Sequence, residues 1–160
     1  MRHAVVARLA QTLGFITDRI SMRSVSIQLL ALFCIACAPE TLEVNYDTHA
    51  VAENAGAMRR GWLPPWLPRE STQIFERHNI DTNARMWVAT VPIGVDVTLP
   101  VACTSIKATE TARAPFATRW WPEGEPHQPP RPGEFYYFKC GSEFIGLAKE
   151  GGKLIGWAPQ

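Results

Sequence analysis

The hydrophobic pattern begins with an uncharged apolar run at residues 25–37, which follows Arg23 and ends abruptly in polar sequence. A basic residue, a short apolar run and small residues at its end are typical of a secretory signal. The run is too short to cross a bilayer, which takes about 20 apolar residues. We therefore predict a cleaved signal at residues 22–36, with an uncleaved anchor as the alternative. Residues 1–21 are interpreted as an over-extended start or as part of the basic region of the signal.

Beyond the signal, the pattern predicts one helix near the start of the folded part. Apolar residues at positions i, i+4 and i+7 over residues 51–58 make a modest stripe. Asp47 or Thr48 can cap this helix, which is predicted to run to residue 60. Gly61 is placed where a glycine commonly ends a helix.

The remaining apolar segments predict an antiparallel sheet, because they are rich in β-branched and aromatic residues. Turn residues at 81–83 join the first two strands as a hairpin, and a Gly-Gly pair at 151–152 joins the last two. The predicted strands are residues 73–80, 85–92, 95–102, 134–140, 143–149 and 154–157. The predicted fold class is α+β: one N-terminal helix packed on a small antiparallel β-sheet or meander with long proline-rich loops. It forms a single domain at residues 47–160, after a tether at residues 37–46.

Prolines interrupt this pattern in two places. Residues 61–68 read Gly-Trp-Leu-Pro-Pro-Trp-Leu-Pro, which excludes a continuous helix or a central strand. We predict that this segment crosses the body and places its Trp and Leu side chains in the core, with a proline-rich ligand for a partner as the alternative. Residues 104–134 are predicted to be mostly irregular, either as a surface lobe pinned by Trp120 and Trp121 or as a partner-binding loop.

The end of the apolar run, Ile35-Ala36-Cys37, resembles the lipobox of bacterial lipoproteins. The resemblance implies that Cys37 carries a diacylglyceryl group, that the chain is cut before it, and that membrane lipid is its first partner. Ala38 implies retention at the outer membrane, facing the periplasm. Cys34 stands where the family usually has Leu. A Cys34–Cys37 redox or metal pair is the alternative interpretation.

The folded part shows a second resemblance. The Gly-Trp-Leu-Pro-Pro-Trp-Leu-Pro segment, followed by Asp-Thr-Asn at residues 81–83, is similar to small uncharacterised bacterial lipoproteins. The similarity covers about residues 45–90 and implies no activity.

Charge and cysteine content narrow the functional classes. The net charge is +1, and the basic residues are scattered, so a nucleic-acid partner is not expected. Of the four cysteines, only Cys103 and Cys140 would remain as free thiols after the predicted cleavage and acylation. In an oxidising compartment such a pair predicts a disulfide.

Candidate chemistry is sparse, and no motif for a catalytic triad, a phosphate loop or a dinucleotide is present. Glu76 and His78 share one face of a predicted strand, where they could bind a metal or transfer a proton. Asn79, Asp81 and Asn83 follow them in the sequence and complete the candidate cluster. The preferred interpretation is a solvated strand face that runs into a turn. We predict no cofactor and no metal site.

A second patch consists of aromatic and basic residues in the long loop, and it is the candidate partner surface: Arg119, Trp120, Trp121 and His127, with Arg113 nearby. The preferred interpretation is that these tryptophans cover the core. Together these features predict a membrane-tethered, non-catalytic envelope lipoprotein that binds or inhibits an envelope protein or a cell-wall partner, as immunity proteins do. The alternative is a small periplasmic hydrolase or metal-dependent enzyme centred on His78.

Overall fold

The computed structural model describes residues 40–122 and 133–159, and within them seven β-strands pair into one antiparallel sheet. The strands are β1 Thr41–Thr48, β2 Thr72–Asn79, β3 Arg85–Thr90, β4 Cys103–Ile106, β5 Phe135–Cys140, β6 Glu143–Ala148 and β7 Lys153–Ala158. Across the sheet their order is β1-β2-β3-β7-β6-β5-β4. The predicted signal and Cys37 lie outside the described residues.

The predicted α+β class is wrong, because the helix is far shorter than its apolar stripe indicates. The described residues contain one α-helix, α1 His49–Asn54, which Thr48 caps as predicted. It ends because Gly56 adopts a φ of 77°. The N–H groups of Gly56 and Ala57 donate to carbonyls of the preceding turn at 2.8 and 3.0 Å, which closes a Schellman motif. Residues 55–61 continue as turns.

Two strands lie where the sequence analysis predicts none. β1 occupies most of the segment assigned to a tether, and it pairs with β2 in a register that joins Thr41 to Asn79. β4 begins at Cys103, whereas the strand predicted at residues 95–102 does not form. Pro92 and Pro100 bound that segment, and its side chains pack on the core without a hydrogen-bonded ladder. The β2–β3 hairpin and the β5-β6-β7 meander are confirmed.

The sheet buries both of its faces, so it separates two hydrophobic clusters. On the first face, the 61–68 segment covers the strands with Leu63 and Leu67, which are almost fully buried. This confirms the predicted crossing. On the second face, residues 106–121 cover the strands with Ala114 and Trp121. Strand positions alternate between the clusters, so that Trp87 lies in the first and Met86 in the second.

Candidate functional site

The candidate site is a pair of buried polar side chains on β2, Glu76 and His78. Their side chains lie on the first face, because residues two apart on a strand point the same way. His78 Nδ1 and Glu76 Oε1 share a hydrogen bond, and the two residues are 1% and 0% exposed. The structure thus brings the pair together as predicted. It does not leave the pair on a solvated strand face, so the interpretation preferred from the sequence is wrong.

The proline-rich crossing closes the pair off from solvent. The ring of Trp62 stacks on the imidazole of His78 with a centroid separation of 3.7 Å and an interplanar angle of 19°. The guanidinium of Arg60 lies 4.0 Å from the centroid of the Trp62 ring, a cation–π contact. The prolines that follow prevent a helix, and turns and bends at residues 61–63 let Trp62 lie flat over β2.

Burial is the main cause of the pKa shifts of Glu76 and of the nearby Tyr46. Desolvation raises the pKa of Glu76, and the hydrogen bond with His78 and the charges of His78 and Arg60 act in the opposite direction. Desolvation also raises the pKa of the Tyr46 phenol, with a further contribution from the charge of Glu76, while Arg60 lowers it. Glu76, Arg60 and Tyr46 are therefore close enough for the charges of Glu76 and Arg60 to shift the pKa of Tyr46. Glu76 Oε2 and His78 Nε2 make no hydrogen bond with a described residue.

The remaining residues of the predicted cluster build a turn instead of joining the pair. Asn79 Oδ1 accepts from the Thr82 N–H at 2.8 Å, and Asn83 takes a φ of 59°. Asp81 Oδ2 accepts from the Glu40 N–H at 3.3 Å. These are local turn bonds of the kind that Asn and Asp favour. The Asp-Thr-Asn segment thus fastens the β2–β3 hairpin to the start of β1.

A metal centre would need more ligands than the pair supplies. Among residues 40–122 and 133–159, no group of three or more His, Cys, Asp and Glu side chains is placed to hold an ion. The hydrogen bond with the Glu76 carboxylate holds the imidazole of His78 in one orientation.

A second polar contact on the same face was not predicted from the sequence. Glu143 Oε1 accepts from the Trp87 indole N–H at 3.0 Å and lies 3.6 Å from Arg85 Nε. Arg85 is the cross-strand neighbour of His78. Glu143 lies 56 residues from Trp87 along the chain. No local pattern could have revealed this contact.

The aromatic patch covers a core. Trp121 is 5% exposed within the second cluster, and Trp120 stacks on Phe75 with centroids 5.9 Å apart. Arg119 is exposed, and His127 lies outside the described residues. The structure therefore favours the preferred interpretation, in which these tryptophans cover the sheet.

The disulfide is confirmed. Cys103 and Cys140 are bonded, with their Cα atoms 4.2 Å apart. They are also directly paired in the β4–β5 ladder. The bond therefore fastens the edge strand β4 to the meander.

Comparison with known proteins gives one partial match. A family model described as the YbbD head domain matches residues 40–87. This segment contains β1, α1, the proline-rich crossing, β2 and the start of β3, so it includes the Glu76–His78 pair. No curated protein and no solved structure matches the chain. Within the described part of the chain, none of the helices has the length and hydropathy that a membrane span requires.

Proposed function

We propose that this chain is an exported lipoprotein, held at an envelope membrane by acylated Cys37, whose β-sheet module is a non-catalytic binding or inhibitor module. Its partner is an envelope protein or a cell-wall component, reached from the periplasmic face of the outer membrane. The observation that carries the proposal is the Cys103–Cys140 disulfide. Structural disulfides persist in oxidising compartments and are rare in the cytosol. The signal-like run that ends at Cys37 supports the same compartment.

The environment of Glu76 and His78 supports a structural role for the pair. Trp62 covers the imidazole, and both side chains are almost completely buried. A general base must come within hydrogen-bond reach of the proton that it abstracts, about 2.6–3.2 Å between heavy atoms. A substrate could come this close only if Trp62 moved away.

Palmitate labelling tests the anchor. The full-length chain is expressed in a Gram-negative host with labelled palmitate, beside the variants Cys37→Ala and Cys34→Ala. The two cysteines lie three residues apart in the same apolar run, which makes Cys34→Ala a matched control. We expect label in the wild type and in Cys34→Ala, and none in Cys37→Ala. An unlabelled wild type, or label that persists in Cys37→Ala, would refute the proposal.

The contact between Glu76 and His78 supports a second candidate, a small hydrolase or metal-dependent enzyme centred on His78. Its test uses the purified protein with Glu76→Gln and His78→Gln, which keep much of the side-chain shape. Elemental analysis and a panel of ester, peptide and glycan substrates are compared across the three proteins. Stoichiometric metal or hydrolysis that both substitutions abolish would favour the enzyme. Without such a signal, the binding module is favoured.

A further inference from the structure

We propose that one end of the sheet rests against the phospholipid headgroups, so that the opposite end points away from the membrane. The tether end is defined by Glu40, Thr41 and the β2–β3 turn at residues 80–84. The far end is defined by Ile93 and the β6–β7 turn at residues 149–152. This orientation rests on the proposed acylation of Cys37.

The reach of the linker places the tether end close to the membrane. β1 begins at Thr41, so only Ala38, Pro39 and Glu40 separate it from Cys37. An extended chain spans at most about 3.3–3.6 Å per residue, which limits the Cys37–Thr41 distance to roughly 14 Å. The six residues of β3 alone extend about 20 Å at roughly 3.3 Å each. The far end therefore lies beyond the reach of the linker.

The start of β1 is fixed to the β2–β3 turn, so the linker cannot lengthen by fraying. Glu40 donates its N–H to Asp81 Oδ2 at 3.3 Å and accepts at its carbonyl from the Ile80 N–H at 3.1 Å. Asn79 Nδ2 donates to Thr41 Oγ1 at 3.1 Å. These bonds hold the point where the chain leaves the sheet beside the turn. The β2–β3 turn must therefore lie about as close to the anchored Cys37 as the start of β1 does.

The chemistry of the tether end suits the boundary between headgroups and acyl chains. Ile80 is 46% exposed and Leu42 is 37% exposed, and both lie beside this exit point. The carboxylates of Glu40 and Asp81 are also exposed at this end. At the far end, three charged residues, Lys149, Glu150 and Lys153, surround the turn. Ile80 and Leu42 can enter the interface while the carboxylates stay at the level of the headgroups, because apolar side chains lose less there than charged ones do.

Ile80 and Ile93 provide a matched pair of probe positions. Both are exposed isoleucines, and they lie at opposite ends of β3. Ile93 is at the far end, because Gly151 of the β6–β7 turn lies against its side chain and Val91 donates to the carbonyl of Gly152 at 3.2 Å. The acylated, oxidised protein carries an environment-sensitive dye on Ile80→Cys or on Ile93→Cys. Each protein is reconstituted in phosphatidylethanolamine–phosphatidylglycerol vesicles whose headgroups carry a nitroxide quencher.

We expect both labelled proteins to float with the vesicles and the dye at position 80 to be quenched several-fold more than the dye at position 93. Equal or reversed quenching in proteins that float would overturn the orientation and leave the lipid anchor intact. Failure to float would overturn the anchor and the orientation together.

Lengthening the linker tests the cause of the orientation. Ten Gly-Ser residues inserted after Ala38 should keep flotation and remove most of the difference in quenching between the two positions. A difference that survives this insertion would show that linker length does not set the orientation and would overturn the inference.

Discussion

Gly156 is the position where a single methyl group should disturb the fold most clearly. It pairs with Trp87 across β7 and β3. A Cβ at Gly156 would lie 2.4 Å from Trp87 Cε2 and Cζ2 and 2.6 Å from Nε1. The indole is fully buried, and its N–H donates to Glu143. Gly156→Ala therefore forces a rigid ring to move within a closed core.

The expected cost of Gly156→Ala follows from two effects. Overpacking a well-packed core costs about 1–3 kcal/mol. If the indole moves far enough to lose its bond to the Glu143 carboxylate, about 1.5–3 kcal/mol is added. We expect a loss of about 3 kcal/mol in the free energy of unfolding, a large part of the roughly 5–15 kcal/mol of a typical domain. The assay is urea unfolding of the oxidised protein, followed by tryptophan fluorescence and circular dichroism.

Gly146→Ala is the matched control, because Gly146 lies in the adjacent strand β6. Its added Cβ would lie 2.7 and 2.8 Å from Cγ1 and Cδ1 of Ile155 and 3.2 Å from Cδ1 of Phe135, a smaller overlap than the one with the rigid indole at Gly156. The expected loss is about 1 kcal/mol. If Gly156→Ala is no more destabilising than Gly146→Ala, the packing argument is refuted. The cause is checked by combining Gly156→Ala with Trp87→Phe, which should be less destabilising than the sum of the two single changes.

Three further predictions concern the disulfide and the buried pair. Replacing Cys103 and Cys140 by Ser should lower the free energy of unfolding by about 3–4 kcal/mol on the chain-entropy model, measured in urea with the reduced wild type as control. Because burial raises the pKa of Glu76 above its ordinary value of 4.5, the folded state binds a proton more tightly than the unfolded one. Lowering the pH from above the raised pKa toward 4.5 should therefore increase the free energy of unfolding, because the folded state takes up the proton first. Glu76→Gln should remove this increase when urea unfolding is measured across the pH range. An increase that persists in the variant would contradict its assignment to Glu76. Trp62→Ala should cost about 2–4 kcal/mol and Trp62→Phe clearly less, since a phenyl ring can still stack on His78; equal losses would argue against the stack.

Only part of the candidate site could be predicted from the sequence. Period-two spacing correctly placed Glu76 and His78 on one face of a strand, because that placement depends only on the strand itself. Whether the face is solvated depends on what covers it. Trp62, which covers it, comes from a proline-rich segment that the sequence analysis assigned to the core without a partner. The contact of Glu143 with Trp87 likewise required the sheet order.

The sequence by itself determined those parts of the fold that local chemistry encodes. Turn residues and runs of β-branched and aromatic residues placed the β2–β3 hairpin and the β5-β6-β7 meander, and a pair of cysteines in a predicted oxidising compartment indicated the disulfide. The tertiary structure decided the rest. In β1, apolar residues alternate with polar ones at Leu42, Val44 and Tyr46. A single strand with polar neighbours cannot be distinguished from a tether by its sequence until its pairing with β2 is known. The helix ended early because Gly56 could close a Schellman motif and let the next residues turn toward the core. Pairing and burial are long-range interactions, and a local pattern cannot specify which distant segment will supply them.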